Sequence, residues 1–184
     1  MRGSLAGPEK ILVTGGVRSG KSRFAESLLS AHPDVTYLAP GAVPDPAVDP
    51  EWAARVATHQ ARRPPGWSTL ETSRVPEALG CSESPVLLDC LGTWVTAVVD
   101  GLGTWDIPLS RWQPSFDIQL QALVDAWQAF GGLAVAVTNE VGWGLVSEHR
   151  SGRIFTDLLG RTNQAVAAAS DRVVLVVAGR TLEL

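Results

Sequence analysis

ILVTGGVRSGKS, residues 11–22, decides how the rest of the chain is read. Ile11, Leu12, Val13 and Thr14 follow one another without a polar break, the pattern of a short strand buried on both faces. Gly15, four residues, Gly20, Lys21 and Ser22 then have the spacing of a phosphate-binding loop. The glycines let the backbone turn tightly, so that successive N–H groups converge on an anion. Lys21 brings a point charge to the outer phosphates, and the Ser22 hydroxyl is placed to ligate Mg²⁺. The helix expected over about residues 21–29 aims its positive end at the same place. A glycine-rich turn that binds nothing is the competing reading, but it explains neither the strand before the motif nor the helix after it. The stretch therefore predicts a nucleoside triphosphate site built on Gly15, Gly16, Val17, Arg18, Ser19, Gly20, Lys21 and Ser22.

The rest of the composition bounds the setting. The chain has 184 residues, enough for one domain with a substantial core, and 45% of them are hydrophobic against 18% charged. A net charge of −4 argues against nucleic acid as a partner. Cys81 and Cys90 lack metal-type spacing and read as reduced, partly buried thiols. The opening MRGSLAGPEK has no apolar core of a secretion signal, and no apolar run approaches the roughly 18 residues of a membrane span. The expectation is a cytoplasmic protein with no membrane span.

Outward from the loop, residues 1–9 read as a loose tail and residues 10–184 as one domain. Residues 35–38 form a second strand, and a proline-rich loop follows. Asp49, Pro50 and Glu51 supply a cap, a first-turn proline and an acid, so a helix is expected over Pro50–Ala61. On it Trp52, Val56 and His59 fall on one side, with Arg62 and Arg63 just beyond. His59 has two readings at this point. It is a partly buried histidine beside a solvated arginine pair, or a nucleophile kept neutral by adjacent cations.

Further on, residues 67–71, 85–89, 133–137 and 173–177 read as strands. Helices are expected over residues 75–79, 91–99, 115–130 and 153–169, the last with a solvated series of Arg153, Asp157 and Arg161. Asp89 closes its strand where a second phosphate-loop motif places a Mg²⁺ ligand. The polar turn at residues 138–144 also follows a strand, and its Trp143 either covers the core or offers a flat surface to a ligand. A Gly179-Arg180 turn into residues 181–184 would add one antiparallel strand at the end. Alternating strands and helices imply an α/β fold with a mainly parallel sheet covered on both faces.

Four segments carry a family resemblance: VTGGVRSGKSRFAE (13–26), His59 with RRP (62–64), LLDC with WVT (87–96), and VTNEVGWGLV with a later GR-x-NQ (137–164). In these the chain resembles the bifunctional adenosylcobinamide kinase/adenosylcobinamide-phosphate guanylyltransferases of cobalamin biosynthesis. The resemblance implies a RecA-like P-loop fold, a homotrimer, and ATP or GTP with Mg²⁺. It implies phosphorylation of adenosylcobinamide, then GMP transfer from GTP to adenosylcobinamide phosphate through a guanylyl-histidine. By the same resemblance His59 is the guanylylated residue and Lys21 serves the kinase step. Ala39, Pro40, Gly41, Gln60, Ala61, Arg62, Glu71 and Asp89 lie near the nucleotide, and Ser22 and Asp89 at the metal. The chain departs from the family pattern at Gln60, Gly92, Ala97, Ser147 and His149. A single-activity small-molecule kinase and a nucleotide-dependent switch protein are the alternatives. Covalent labelling by GTP separates the two enzymatic readings.

Overall fold

The computed structural model describes residues 8–184, so most of the expected tail over residues 1–9 lies outside the described residues. In chain order the elements are β1 (Lys10–Gly15), α1 (Lys21–Leu28), β2 (Thr36–Ala39), α2 (Pro50–Ala61), β3 (Ser68–Glu71), α3 (Val75–Cys81) and β4 (Val86–Asp89). They continue as α4 (Leu91–Leu102), a 3₁₀ turn (Leu109–Arg111), α5 (Gln113–Ala129), β5 (Ala134–Val137), α6 (Arg150–Ala168), β6 (Arg172–Val177) and β7 (Arg180–Glu183). The strands form one sheet in the order β3-β2-β4-β5-β1-β6-β7, parallel except for β6 against β7. An α/β fold with a mainly parallel sheet and an antiparallel edge is thus present.

Side chains alternate across the sheet, and each face buries its own set. Ile11, Val13, Leu87, Val135 and Val137 join Tyr37 and Trp67 on the face that α1 covers through Ala25. Leu12, Leu38, Leu88, Ala134 and Ala136 join Trp94, Phe116 and Trp127 on the other, beneath α3, α4, α5 and α6. Burial on both faces explains why the central strands β1, β4 and β5 read as continuous apolar runs.

Four local readings change. The final hairpin turns on Ala178-Gly179, one residue earlier than expected, with both residues at positive φ (49° and 77°) and Val177 paired to Arg180. That left-handed pair matches the twist of the two strands, and glycine is needed only at its second position. Helix α6 starts at Arg150, not Arg153, because the Arg150 guanidinium is anchored on the carbonyls of Trp105 and Ile107. Helix α4 runs on to Leu102 and is stopped by Gly103 at φ 62°. The expected Arg153–Asp157–Arg161 series does not pair within itself. Arg153 donates to the carbonyls of Ser147 and Glu148, and Arg161 bridges to Asp117 of α5 at 2.7 Å.

Helix α2 differs from the rest. Asp49 caps it by accepting a hydrogen bond from the Trp52 backbone N–H at 2.9 Å, yet it buries none of its residues. Its apolar side therefore faces a cleft rather than the core. No described helix is long and apolar enough to cross a membrane.

Candidate active site

The carboxyl ends of the parallel strands meet at a cleft of about 1050 Å³ between the phosphate loop and α2. Gly15 ends β1 where a Cβ would lie 2.4 Å from the Val176 carbonyl oxygen and 2.8 Å from Ser19 Oγ, so no larger residue fits without displacing backbone. Gly20 caps α1 at φ 99°. The loop is closed by Ser19 N–H donating to Gly16 O at 3.2 Å, and buttressed by Gly179 N–H donating to Ser19 O at 2.8 Å. The β6–β7 turn thus supports the loop from the far end of the chain. Lys21 Nζ donates to Gly16 O at 3.3 Å. Burial pulls the Lys21 pKa down, while Cys90 and Asp89 oppose the shift.

Across the cleft, His59 Nδ1 lies 3.7 Å from Asp89 Oδ2 and 3.4 Å from Arg62 Nη2. Arg62 is itself held by Glu26 of α1 at 3.0 Å. Tyr37 donates its hydroxyl to Asp89 Oδ2 at 2.8 Å. Burial and the Asp89 charge push the Tyr37 pKa up, so the phenol stays a donor. His59 has its pKa lowered, first by burial; Asp89 works against that shift and Arg62 with it. The sequence reading credited the arginines alone. Arg63 is the lesser influence because its guanidinium stacks over the Tyr37 ring at 3.5 Å and donates to Thr69 at 2.6 Å. Cys90 is half-buried, and burial raises its thiol pKa, which leaves it a poor nucleophile.

Most of the nominated residues are brought together. Val17, Arg18, Ser19, Gly20, Lys21, Ser22, Ala39, Gly41, His59, Arg62, Glu71 and Asp89 line the cleft. Gly15, Gly16, Pro40, Gln60 and Ala61 do not. Gly15 lies beneath the loop, Pro40 is buried, and Gln60 and Ala61 are exposed on α2. Helical geometry accounts for the last two, since each step along α2 turns about 100° away from the face that His59 shares with Trp52 and Val56. His32 and His149 stay outside the cleft, as does Trp143, which is 75% exposed and so does not cover the core.

The cleft also contains Tyr37, Arg55, Thr58 and Thr93, which the sequence reading passed over, and Asn139 of the polar turn at residues 138–144. Arg55, four residues before His59, was detectable from helical spacing. Tyr37 sits inside an apolar strand and gave no such signal. As for a metal, no cluster of three or more His, Cys, Asp or Glu occurs among the described residues. Mg²⁺ needs fewer, because one or two protein oxygens, substrate phosphates and water complete its shell. Ser22 and Asp89 lie in the same cleft, and the pair fits that donor set.

A phosphate loop at the end of β1, with a carboxylate at the end of nearby β4, defines a P-loop nucleotide-binding protein of the α/β class. The fold is shared with a prototypical ATPase from the type III secretion system of pathogenic bacteria, at TM-score 0.56 and 12% identity, covering 95% of this chain and 57% of that one. The chain belongs to the cobinamide kinase / cobinamide phosphate guanyltransferase family, whose sequence model matches residues 11–184. It is 42% identical over 178 residues to the bifunctional adenosylcobalamin biosynthesis protein CobU of Salmonella typhimurium, covering 92% of this chain and 96% of that protein. It is 40% identical to CobU of Escherichia coli over 92% of this chain and 96% of that protein. To CobP of Pseudomonas aeruginosa it is 35% identical, over 94% of this chain and 95% of that protein.

Proposed function

We propose that this protein phosphorylates adenosylcobinamide with a nucleoside triphosphate and then transfers GMP from GTP to adenosylcobinamide phosphate. Family membership supports the two activities. The observation that carries the residue assignment is the placement of His59 and the phosphate loop in one cleft. In the kinase step the substrate hydroxyl oxygen bonds to the γ-phosphorus, the bond to the β–γ bridging oxygen breaks, and the nucleoside diphosphate leaves. Lys21 and the loop N–H groups stabilise the charge on the moving group. Ser22 and Asp89 would hold Mg²⁺, which supplies charge neutralisation at the β- and γ-phosphates.

In the second reaction a ring nitrogen of His59 bonds to the α-phosphorus of GTP and pyrophosphate leaves. An oxygen of adenosylcobinamide phosphate then takes the α-phosphorus, the P–N bond breaks, and the imidazole returns. Nδ1 of His59 is within hydrogen-bond distance of Arg62 Nη2 at 3.4 Å and stands 3.7 Å from Asp89 Oδ2. Attack needs the neutral ring, in which one nitrogen keeps its lone pair. Burial supports the neutral ring the attack requires.

The remaining assignments belong to the same reading. Residues 10–184 act as one P-loop domain, supported by a sheet continuous from β3 to β7. The protein works in the cytoplasm and assembles as a homotrimer, as the family resemblance implies. A solution mass of a single 19.5 kDa chain with full activity would defeat the trimer.

The deciding experiment uses GTP labelled at the α- or the γ-phosphate. Label from the α position is expected to stay on denatured protein, to survive base and to be released by acid, while γ-label does not stay. Absence of α-label under conditions of GMP transfer would exclude the covalent route.

A further inference from the structure

We propose that the side-chain amide of Asn139 contacts the substrate in the kinase step, its Oδ1 accepting the hydrogen bond of the alcohol hydroxyl that takes the γ-phosphoryl group. The proposal rests on the kinase half of the function proposed above. Its starting point is that Asn139 Oδ1 is buried without a hydrogen-bond partner, in a residue that lines the nucleotide cleft. Folded proteins rarely leave such an oxygen unpaired unless a ligand or water serves it.

The strand order places this amide between the two halves of the kinase site. β5 lies between β4 and β1, and Val137 is in register with Asp89 on one side and Val13 on the other. Neighbouring strands are about 4.8 Å apart, so the residue two positions past Val137 stands between the carboxylate and the start of the phosphate loop. The backbone there is held from three directions. Thr138 N–H donates to Val13 O at 2.9 Å, Glu140 N–H donates to Gly15 O at 3.3 Å, and Asn163 Nδ2 donates to Asn139 O at 3.1 Å. The flanking side chains are satisfied elsewhere. Thr138 donates to Asn163 Oδ1 at 2.6 Å, and Glu140 accepts from Thr14 at 2.8 Å. Of the three neighbours, Asn139 alone has a side-chain oxygen that is buried and unpaired, on a backbone that is fixed.

The kind of atom left over identifies the ligand group. A carbonyl oxygen repels phosphate oxygens and needs a donor. The phosphate end of a nucleotide brings none, whereas an alcohol nucleophile brings its O–H. With that hydrogen bond made, an oxygen lone pair is directed at the γ-phosphorus. The O–P bond forms, the bond to the β–γ bridging oxygen breaks, the nucleoside diphosphate departs, and the proton leaves late on a phosphoryl oxygen. In the GMP transfer the acceptor is a phosphate, which offers no comparable donor, so Asn139 serves one reaction and not the other.

The test compares wild type, Asn139→Ala and Asn139→Ser as full chains, with matching circular dichroism and thermal midpoints as the folding control. Phosphorylation is read with γ-labelled ATP and adenosylcobinamide, and GMP transfer with α-labelled GTP and adenosylcobinamide phosphate supplied directly. Asn139→Ala is expected to lower kcat for phosphorylation by about 10- to 100-fold, the cost of a misplaced nucleophile, with KM for ATP changed by less than about threefold. The loss in GMP transfer should be at least about tenfold smaller. Asn139→Ser, which restores an acceptor oxygen on a shorter arm, should recover part of the kinase rate. Equal losses in both reactions, a raised Mg²⁺ requirement as the main change, or no loss at all would overturn the inference and leave the two-step function standing. A wild type that does not phosphorylate adenosylcobinamide would overturn both.

Discussion

Nδ1 of His59 lies 3.7 Å from Oδ2 of Asp89, so the side chain proposed for GMP transfer stands beside the carboxylate proposed for the metal. Tyr37 donates to that same oxygen at 2.8 Å. A single acid at the end of β4 thereby accepts from the phenol of β2 and stands beside the imidazole of α2. The expected consequence is that the two activities separate by mutation at His59 or the loop and fall together by mutation at Asp89.

His59→Ala should abolish covalent α-label and GMP transfer while keeping measurable phosphorylation, since Lys21 and the loop serve that step. Mass spectrometry of the protein after incubation with GTP checks the first half, and γ-phosphoryl transfer to adenosylcobinamide checks the second. Retained α-label would point to a different nucleophile.

Asp89→Asn is expected to slow both reactions, whereas Lys21→Ala and Ser22→Ala should abolish phosphorylation with the fold intact. Asparagine keeps the shape but loses the charge that faces His59 and would face Mg²⁺. Steady-state rates against Mg²⁺ concentration provide the measurement, and an unchanged rate and metal dependence in Asp89→Asn would remove that residue from the site.

The pH dependence of labelling follows from the direction of the His59 shift. Its folded pKa is below the ordinary 6.5, chiefly through burial, so the ring stays neutral in a window where a free histidine is protonated. Covalent labelling should therefore persist as pH falls through 6.5 and decline only at lower pH, as the folded ring takes up its proton. The sign for stability is the same. Below 6.5 the unfolded chain binds the proton more readily than the native one, so this contribution is complete above 6.5 and is lost on acidification. Single-turnover labelling from about pH 5 to about pH 8 tests it, and an acid limb centred at or above 6.5 would contradict the buried, neutral ring.

Tyr37→Phe should destabilise the protein by about 1–2 kcal/mol, because it removes a hydrogen bond to a charged acceptor from a residue only 2% exposed. The ring that Arg63 stacks on is retained, so packing is little changed. GMP transfer should slow more than phosphorylation, since the carboxylate loses the partner that fixes it toward His59. Urea denaturation and the two rate assays decide it.

Gly15→Ala should cost about 1–3 kcal/mol through overpacking, since its Cβ would meet the Val176 carbonyl and Ser19 Oγ. Moving either contact reshapes the loop, so nucleotide affinity should fall along with stability. Calorimetric titration with ATP measures that loss, and unchanged affinity would show that the loop tolerates the shift.

The legible parts of this protein were those in which local chemistry dictates local shape. The loop at residues 15–22 has a glycine spacing that lets a backbone wrap a phosphate chain, and Asp49-Pro50-Glu51 starts α2 where expected. Val86–Asp89 ends in an acid beside the loop because parallel strands bring their carboxyl ends to one edge. The turn at Ala178-Gly179 was misplaced by one residue, since its position depends on the register of β6 against β7 and not on the glycine alone. Gln60 and Ala61 were placed near the nucleotide by the family resemblance, but helical rotation takes them out of the cleft.

By itself, then, the sequence determined the α/β alternation, the phosphate loop and the identity of His59 as the histidine to watch. The first two rest on local residue patterns, and His59 stood out through the family resemblance of segments spread from residue 13 to residue 164. Only the tertiary structure decided which arginine faces the imidazole, that burial outweighs the arginines in keeping it neutral, that Tyr37 holds Asp89, and that Asn139 has an acceptor to spare. Those facts join residues far apart in the chain. Their contacts arise from strand order and helix placement, which no local pattern of residue types encodes.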